Sequence, residues 1–232
     1  VIIAVAPTRE LARQIFTDFE SIGKAAGLTA RCFYGGTAFG PQCEDLRNGV
    51  DILVCTPGRL LDHIRRETVN LSSCRVAVFD EADEMLSMGF QEDVESILQA
   101  LPREELQLLL FSATLPKWVN ALVEKHLKEP VWIDVTNQDD GNATNTKIKH
   151  KCINCPVSMR GDCIGDLCKV HAGHFGKTLV FTSTKKECDE LVANEKLAAL
   201  GAAALHGDIG QNTRDSVMEG FRAGRVKCLV AT

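Results

Sequence analysis

Two adjacent carboxylates, Asp80 and Glu81, are the residues of this 232-residue sequence best suited to carry chemistry. They follow the apolar run Val76–Phe79, which predicts a strand buried on both faces. Open parallel sheets bind ligands at the carboxyl edge of their strands, where an acid pair can hold a metal ion and polarise a water molecule. The sequence therefore predicts nucleotide hydrolysis, with Asp80 holding Mg²⁺ largely through water. An acidic first helical turn is the simpler alternative.

Hydroxyl groups follow a second apolar run. Leu108–Phe111 predicts another buried strand that ends at the same edge, and Ser112 and Thr114 come directly after it. Asp83 stands beyond its strand end, where a helix is expected to begin, so we expect it to anchor these hydroxyls and not a metal. The hydroxyls can then sense the state of a phosphate. A Ser/Thr turn that caps a helix starting near Pro116 is the alternative.

Three segments of the first half combine small and polar residues where a predicted strand gives way to a helix. Backbone amides, a hydroxyl and a guanidinium converge at such positive helix ends, and the phosphates of a single strand fit them without base readout. Glycines let a backbone approach closely. Helix capping and plain turns are the alternatives. The candidate contacts are Thr8, Arg9, Gly36, Thr56, Gly58 and Arg59.

The second half offers a similar set of candidate contacts. Thr184 follows a predicted strand. Gln211 and Arg214 are three residues apart and share one face of a predicted helix, from which they can grip adjacent phosphates or ribose hydroxyls. His206 is equally compatible with a buried turn histidine and is not included.

These motifs stand in one order along the chain. They are Pro7-Thr8-Arg9-Glu10-Leu11-Ala12, Gly35-Gly36, Thr56-Pro57-Gly58-Arg59, Asp80-Glu81-Ala82-Asp83, Ser112-Ala113-Thr114 and Gln211-Asn212-Thr213-Arg214. The ordered set resembles the DEAD-box family of ATP-dependent RNA helicases. The resemblance implies tandem RecA-like domains, ATP and Mg²⁺ as cofactors, and RNA as partner. It also implies that Glu81 activates the attacking water, and that Ser112 and Thr114 couple hydrolysis to RNA unwinding. Thr232 stands where the family has the first polar residue of a further RNA-contacting motif, so the resemblance adds it to the candidate contacts of the second half.

Within that family, the run Cys32–Thr37 and the segment Gly173–Arg222 are most similar to the Gu-type nucleolar RNA helicases. This narrower resemblance implies a nuclear or nucleolar location. The ten cysteines, in a chain with a large apolar core, favour a reducing intracellular compartment over a disulfide scaffold. Thiols without a metal are the expectation. A zinc site is the alternative, and its ligands would come from Cys152, Cys155, Cys163, Cys168, His171 and His174.

Apolar runs alternate with helical patterns in the βαβ rhythm of a parallel sheet. The predicted fold class is therefore α/β. Two RecA-like parallel-sheet domains are predicted at 1–135 and 147–232, each incomplete, with a polar linker at 136–146. A single long sheet with an inserted loop is the alternative. Strands are predicted at 1–6, 29–34, 51–55, 75–79, 107–111, 131–135, 147–153, 177–182, 202–205 and 226–230.

The first helix has the clearest pattern. Leu11, Ile15, Phe19, Ile22 and Ala26 recur at helical spacing and form one apolar stripe. We expect the whole stripe to lie in the core.

The charge distribution limits how nucleic acid can be bound. The chain has 26 basic and 31 acidic residues, and residues 1–135 carry 13 basic against 20 acidic. No broad basic face is implied, so any RNA contact must rest on backbone amides and helix amino termini more than on massed cations. No apolar run approaches the roughly 20 residues of a membrane helix, so no membrane partner is expected.

Residues 1–232 contain no G-x-x-x-x-G-K-S/T phosphate loop. The family has it before the position of Val1 and has a further arginine-bearing motif after that of Thr232, so both ends are expected to be cut. Positioning and charge neutralisation supply most of phosphoryl-transfer catalysis, and this piece alone is expected to show no RNA-stimulated ATP turnover. An RNA-clamping protein without ATPase activity and a DNA helicase are the alternative functions.

Overall fold

The computed structural model describes residues 1–135, 148–173 and 175–232. The chain divides into two compact units, Val1–Thr136 and Asn137–Thr232. The predicted linker, 136–146, lies outside the described residues. The predicted domain limits therefore stay a prediction. No helix within the described ranges is long and apolar enough to cross a membrane.

A parallel sheet forms the centre of the first unit. Its strands in the described residues are β1 (Ile2–Val5), β2 (Ala30–Phe33), β3 (Ile52–Cys55), β4 (Val76–Phe79) and β5 (Gln107–Leu110). Their spatial order is β2-β3-β1-β4-β5. Val5 pairs with both Cys55 and Phe79, and Phe33 also pairs with Cys55. The carboxyl ends of the strands therefore lie level, and the segments that follow them share one edge.

Helices connect these strands and cover the two faces of the sheet. They are α1 (Arg9–Ala25), α2 (Phe39–Asn48), α3 (Pro57–Arg65), α4 (Ala82–Ser87), α5 (Gln91–Ala100) and α6 (Lys117–His126). Local sequence sets two of the starts. The Thr8 hydroxyl caps α1 by accepting from the Leu11 amide at 3.2 Å, and Pro57 occupies the first turn of α3, where its missing N–H is not needed.

The two faces of the first sheet differ in the size of their residues. One face buries Ile3, Phe33, Leu53 and Phe79 in a cluster with leucines and isoleucines of α3 and α5. Each such side chain contributes about 1.5–3 kcal/mol of hydrophobic stabilisation. The other face is lined by small residues such as Ala4 and packs against α1. Small residues there let α1 lie close to the sheet.

The α1 stripe is only partly buried. Leu11, Ile15 and Phe19 pack on the sheet as predicted, but Ile22 is 71% exposed, and Ala26, just after the end of α1, is also exposed. Gly23 is buried in its place, and a Cβ built at that position would lie 3.4 Å from the Ile52 side chain. The last turn therefore contacts the sheet through a residue without a side chain, which an apolar pattern does not reveal.

The second unit contains a smaller parallel sheet. Its strands in the described residues are β6 (Thr178–Phe181), β7 (Ala202–Leu205) and β8 (Cys228–Ala231), in the order β6-β8-β7. The central strand β8 is buried along its length. The helices are α7 (Arg160–Leu167), α8 (Lys185–Val192), α9 (Glu195–Ala198) and α10 (Gln211–Arg222), with a 3-10 turn at Val157–Met159 and a π turn at Cys168–Ala172.

Three strand predictions need correction. Residues 131–135 and 148–153 form no strand, although their apolar, β-branched residues predicted one. Residues 131–135 are exposed and pair with no described strand, and side-chain pattern alone does not supply a hydrogen-bonding partner. Strand β5 exists but is only half-buried, because it stands at an edge of the described sheet. The α/β fold with two parallel sheets is confirmed.

Candidate active site and nucleic-acid interface

Backbone hydrogen bonds tie the Asp80 segment to strands on both sides. The Asp80 amide donates to the Val5 carbonyl at 3.0 Å, and the Ala82 amide donates to the Phe111 carbonyl at 3.0 Å. Asp80 follows β4 directly, and its Oδ1 accepts from the Glu81 amide at 3.0 Å. The carboxylate also lines a cavity of about 180 Å³ with the apolar residues Ala4 and Phe111. The structure therefore fixes Asp80 at the sheet edge where the sequence places it.

Glu81 has a strained backbone. Its φ of 50° and ψ of 51° lie in the left-handed region, which non-glycine residues adopt rarely and at a cost of order 1 kcal/mol. Partial burial raises the pKa of its carboxyl, and the negative charges of Asp80, Glu84 and Asp83 raise it further. A carboxylate with a raised pKa is a better proton acceptor near neutral pH. Glu67, Glu105 and Glu129 also have a positive φ, so the crowding of carboxylates is what distinguishes Glu81, and its catalytic role stays a prediction.

Asp83 joins the β4 segment to the segment after β5. Its Oδ2 accepts from the Thr114 amide at 3.0 Å and from the Thr114 hydroxyl at 2.6 Å. The Ser112 hydroxyl accepts from the Asp83 amide at 3.3 Å and donates to the Thr114 carbonyl at 2.6 Å. The Thr114 hydroxyl is the largest cause of the lowered pKa of Asp83. Neither hydroxyl caps α6, whose first turn follows Pro116 without a side-chain cap.

Arg9 and Gly36 lie against each other at the same edge. Gly36 has a φ of +85°, and a Cβ built on it would lie 2.9 Å from Arg9 Nη1. The positive φ favours glycine at this position, and the close approach involves only the mobile end of the Arg9 side chain. The first unit therefore brings together an arginine and a stretch of backbone without a side chain, and their contact with a phosphate stays a prediction.

The segment Thr56–Arg59 starts α3 beside them. Thr56 is buried, and its amide donates to the Phe33 carbonyl at 3.1 Å. A Cβ on Gly58 would lie 3.7 Å from an Asp93 carboxylate oxygen, which leaves room for a small side chain. The Arg59 side chain is 10% exposed, and its guanidinium donates to Gln42 Oε1 and to the Thr37 carbonyl within the first unit. Its role as a direct RNA contact stays a prediction.

In the second unit, three of the four predicted contacts lie at helix starts. Thr184 caps α8 by accepting from the Glu187 amide at 3.1 Å. Gln211 begins α10, and its Oε1 accepts from Arg214 Nη1 at 3.4 Å, so the two side chains share one helix face as predicted. Thr232 follows β8 and is exposed. These positions fit phosphate contacts, and their roles stay predictions.

His206 is a buried residue, in agreement with its omission from the candidate contacts. Its side chain is 6% exposed, and Nε2 lies 3.0 Å from Asp189 Oδ1. The carboxylate holds the ring inside the second unit and gives it a structural role.

Two buried polar residues were missed by the sequence analysis. Gln42 is 7% exposed and His63 is fully buried, and they touch through His63 Nε2 and Gln42 Oε1 at 3.0 Å. His63 falls three residues after Leu60 on the apolar face of α3. A polar residue on a buried stripe is the signal that identifies such a pair.

His63 leads to a pH-dependence prediction. Burial, together with Arg59, lowers the pKa of His63 from 6.5 to about 4. The unfolded chain therefore binds more protons between these values, so the stabilising contribution is complete above pH 6.5 and is lost as the pH falls towards 4. We expect the wild type to lose up to about 3 kcal/mol more than His63→Gln over this range.

Urea unfolding at several pH values, followed by fluorescence of Trp118 and Trp132 in the first unit, measures this difference. Carboxylates such as Asp83 titrate in both proteins and cancel in the comparison. Parallel stability curves for the two proteins would contradict the prediction.

Thiol groups do not assemble a metal site in the described residues, where no group of three His, Cys, Asp or Glu side chains is placed to hold an ion. Cys155 and Cys163 interact as a pair, and partial burial and the second thiol raise the pKa of Cys155. His174 lies outside the described residues. The zinc alternative has no support among the described thiols.

The two parallel sheets with crossover helices define a RecA-like α/β protein. The family model described as DEAD/DEAH box helicase matches residues 1–122, and the helicase conserved C-terminal domain matches residues 161–232. The chain belongs to the DEAD/DEAH box helicase family.

Curated relatives match the chain over its whole length. It is 42% identical to nucleolar RNA helicase 2 of Rattus norvegicus, over 100% of this chain and 30% of that protein. It is 44% identical to DEAD-box ATP-dependent RNA helicase 53 of Oryza sativa subsp. japonica, over 99% of this chain and 37% of that protein. The chain thus spans about a third of the length of these relatives.

Solved structures of DEAD-box proteins are also similar to this chain over its whole length. Dbp5 of S. cerevisiae bound to RNA and ADP BeF3 is similar with a TM-score of 0.81 and 28% identity, over 100% of this chain and 57% of that one. A DEAD box protein from Methanococcus jannaschii is similar with a TM-score of 0.56 and 36% identity, over 100% of this chain and 60% of that one.

Proposed function

We propose that this chain is the part of an ATP-dependent RNA helicase that couples ATP hydrolysis to RNA remodelling. One observation carries the proposal: the acid pair Asp80 and Glu81 ends a sheet strand, and Asp83 links that strand to Ser112 and Thr114 after its neighbour. Membership of the helicase family supports it. The link lets a change at the nucleotide reach a second strand end.

Mg²⁺ fits this edge by the chemistry of its donors. Oxygen ligands are those that Mg²⁺ prefers, and it keeps several waters and needs only one or two carboxylates. Burial raises the pKa of Glu81, and the negative charges of the surrounding carboxylates raise it further; a bound divalent cation would offset those charges. Asp80 would hold the ion, and the ion would neutralise phosphate charge. Glu81 orients and deprotonates the attacking water, and Asp83 keeps the two hydroxyls in place.

RNA is held mainly through its sugar-phosphate backbone. In the first unit the contacts lie at the ends of β1, β2 and β3, where backbone and cationic groups meet. In the second unit they lie at the starts of α8 and α10 and after β8. Groups at these places read phosphate and ribose and not base edges. The net charge of −5 requires that few, well-placed contacts carry the affinity.

The assay that tests the proposal measures phosphate release and duplex separation by the complete protein, with and without RNA. RNA-stimulated release together with unwinding supports it. RNA binding without any phosphate release would favour the clamping alternative, and equal stimulation by single-stranded DNA would favour a DNA helicase.

The backbone-binding mode gives a separate prediction. Unrelated single-stranded RNAs of equal length should bind with similar affinity. Arg214→Ala should weaken all of them by a similar factor and make the salt dependence shallower, because one phosphate contact is removed. Arg222→Ala, on the exposed end of the same helix, removes the same charge and serves as the control. A strong preference for one sequence that Arg214→Ala abolishes would show base reading instead.

A nucleolar or nuclear location is part of the proposal, on the basis of relatives named as nucleolar. Relatives of similar identity include a mitochondrial one of Arabidopsis thaliana, at 43%. A fluorescent fusion of the complete protein distinguishes these compartments, and accumulation in mitochondria would overturn the nucleolar assignment.

A further inference from the structure

A chain of hydrogen bonds runs from α3 to the loop Tyr34–Thr37. His63 Nε2 lies 3.0 Å from Gln42 Oε1, Gln42 Nε2 donates to the Thr37 hydroxyl at 2.8 Å, and that hydroxyl donates to the Tyr34 carbonyl at 2.9 Å. The last bond uses the hydroxyl hydrogen, so the Thr37 oxygen must accept from Gln42. Gln42 Oε1 then faces the His63 ring, whose other nitrogen, Nδ1, lies 2.8 Å from the Thr68 hydroxyl.

Arg59 adds two hydrogen bonds to this chain, one to Gln42 and one to the loop. Its Nη1 donates to Gln42 Oε1 at 2.7 Å and its Nη2 donates to the Thr37 carbonyl at 3.1 Å. Gln42 thus binds the guanidinium and the loop hydroxyl at once through its two amide atoms. One side chain of α2 therefore connects the start of α3 with the loop that contains Gly36.

Phe39 packs against the hydrogen-bond network through its contact with His63. Phe39 stacks on His63 with ring centroids 4.3 Å apart at 14°, and the Arg66 guanidinium carbon lies 4.7 Å from the centre of the Phe39 ring. His63 is fully buried and Gln42 nearly so. Buried polar groups held on all sides have a single arrangement, and losing one partner leaves the others unsatisfied.

This network contacts the segments that carry the proposed phosphate contacts. Gly36 sits between Tyr34 and Thr37, whose carbonyls and hydroxyl the network holds, and its other side faces the Arg9 guanidinium. Thr56 precedes the helix that carries Arg59 and His63. Gln42 therefore joins the loop to the start of α3, beside the direct bond from Arg59 to the Thr37 carbonyl.

We propose that Gln42 is a positioning residue for RNA binding, which fixes the loop Tyr34–Thr37 against the start of α3 so that both meet adjacent phosphates. This inference rests on the RNA-binding function proposed above. Groups that are held in place before binding lose less freedom when they bind, so preorganisation raises affinity without adding a contact. Arg59, on this account, acts on RNA through the loop.

Gln42→Leu keeps the approximate volume and removes both amide atoms. We expect the affinity of the complete protein for single-stranded RNA to fall roughly tenfold, the effect of one lost hydrogen-bonded link. The slope of affinity against salt should stay at the wild-type value, because no charge at a phosphate is removed. Thr37→Val breaks the same chain from the loop side and should cause a similar fall.

The two changes should not multiply. Residues that act through one network are non-additive, so the double variant should bind about as weakly as either single variant. Gln99→Leu makes the same chemical change at an exposed position of α5, where Gln99 bonds to Glu95 of its own helix, and should bind as the wild type does. Stoichiometric titration gives the active fraction, so that misfolded protein is not counted as weak binding.

The possible outcomes separate the inference from the function on which it rests. A wild type that fails to bind RNA would overturn the proposed function. A wild type that binds, with Gln42→Leu within twofold of it, would overturn the positioning role alone. Normal affinity in a reduced active fraction would assign Gln42 to folding only, and a shallower salt slope would make it part of a direct phosphate contact; either result also overturns the positioning role.

Discussion

Glu81→Gln is expected to lower RNA-stimulated ATP turnover by about 10²–10⁴-fold, the usual effect of removing a general base, while ATP still binds. Glutamine keeps the size of the side chain and the strained left-handed backbone, so the fold should be unaffected. What is lost is a carboxylate whose pKa is raised by burial and by Asp80, Glu84 and Asp83. Steady-state phosphate release at saturating RNA, together with equilibrium binding of a fluorescent ATP analogue, measures both parts.

Glu84→Gln is the matched control for this change. Glu84 is exposed on the short helix α4, which begins directly after Glu81, and its removal alters the charge by the same amount. Its turnover should stay within a few-fold of the wild type. If Glu81→Gln also stayed within a few-fold, Glu81 would be only an acidic residue at a helix start and the hydrolytic role would be withdrawn.

The edge of the first sheet could be predicted because its residues are close in sequence to strand ends. The run Val76–Phe79 fixes where β4 ends, and parallel register then places Asp80 level with the ends of its neighbours. The contact between Asp83 and Thr114 follows from the same register, since both come shortly after adjacent strands. Periodicity and chain order were sufficient for these features.

The network around Gln42 could not be predicted in this way. Its contacts join residues up to 22 positions apart, and they depend on how α2 and α3 pack, which no local pattern specifies. The exposed Ile22 and the missing strand at 131–135 have a related cause. An apolar residue favours burial, but burial also requires a surface to cover it, and the sequence does not say where that surface lies.

Thr114→Val is expected to separate hydrolysis from unwinding. The change is isosteric and removes the hydroxyl that donates to Asp83 at 2.6 Å, while the hydrogen bond from the Thr114 backbone N–H to the same carboxylate remains. A hydrogen bond to a charged group contributes about 1.5–3 kcal/mol, so duplex unwinding should fall roughly ten- to a hundredfold. Glu81 and Asp80 are not touched, and ATP turnover should stay within a few-fold of the wild type.

An independent measurement shows whether this particular contact is responsible. The Thr114 hydroxyl is the largest cause of the lowered pKa of Asp83, so the pKa of Asp83 measured by NMR should rise in Thr114→Val. Thr17→Val removes an exposed hydroxyl that bonds to the Arg13 carbonyl within α1, and should change neither the Asp83 pKa nor unwinding. Equal losses of turnover and unwinding in Thr114→Val would mean that the hydroxyl supports hydrolysis itself, and the coupling role of the link between Asp83 and Thr114 would then be wrong.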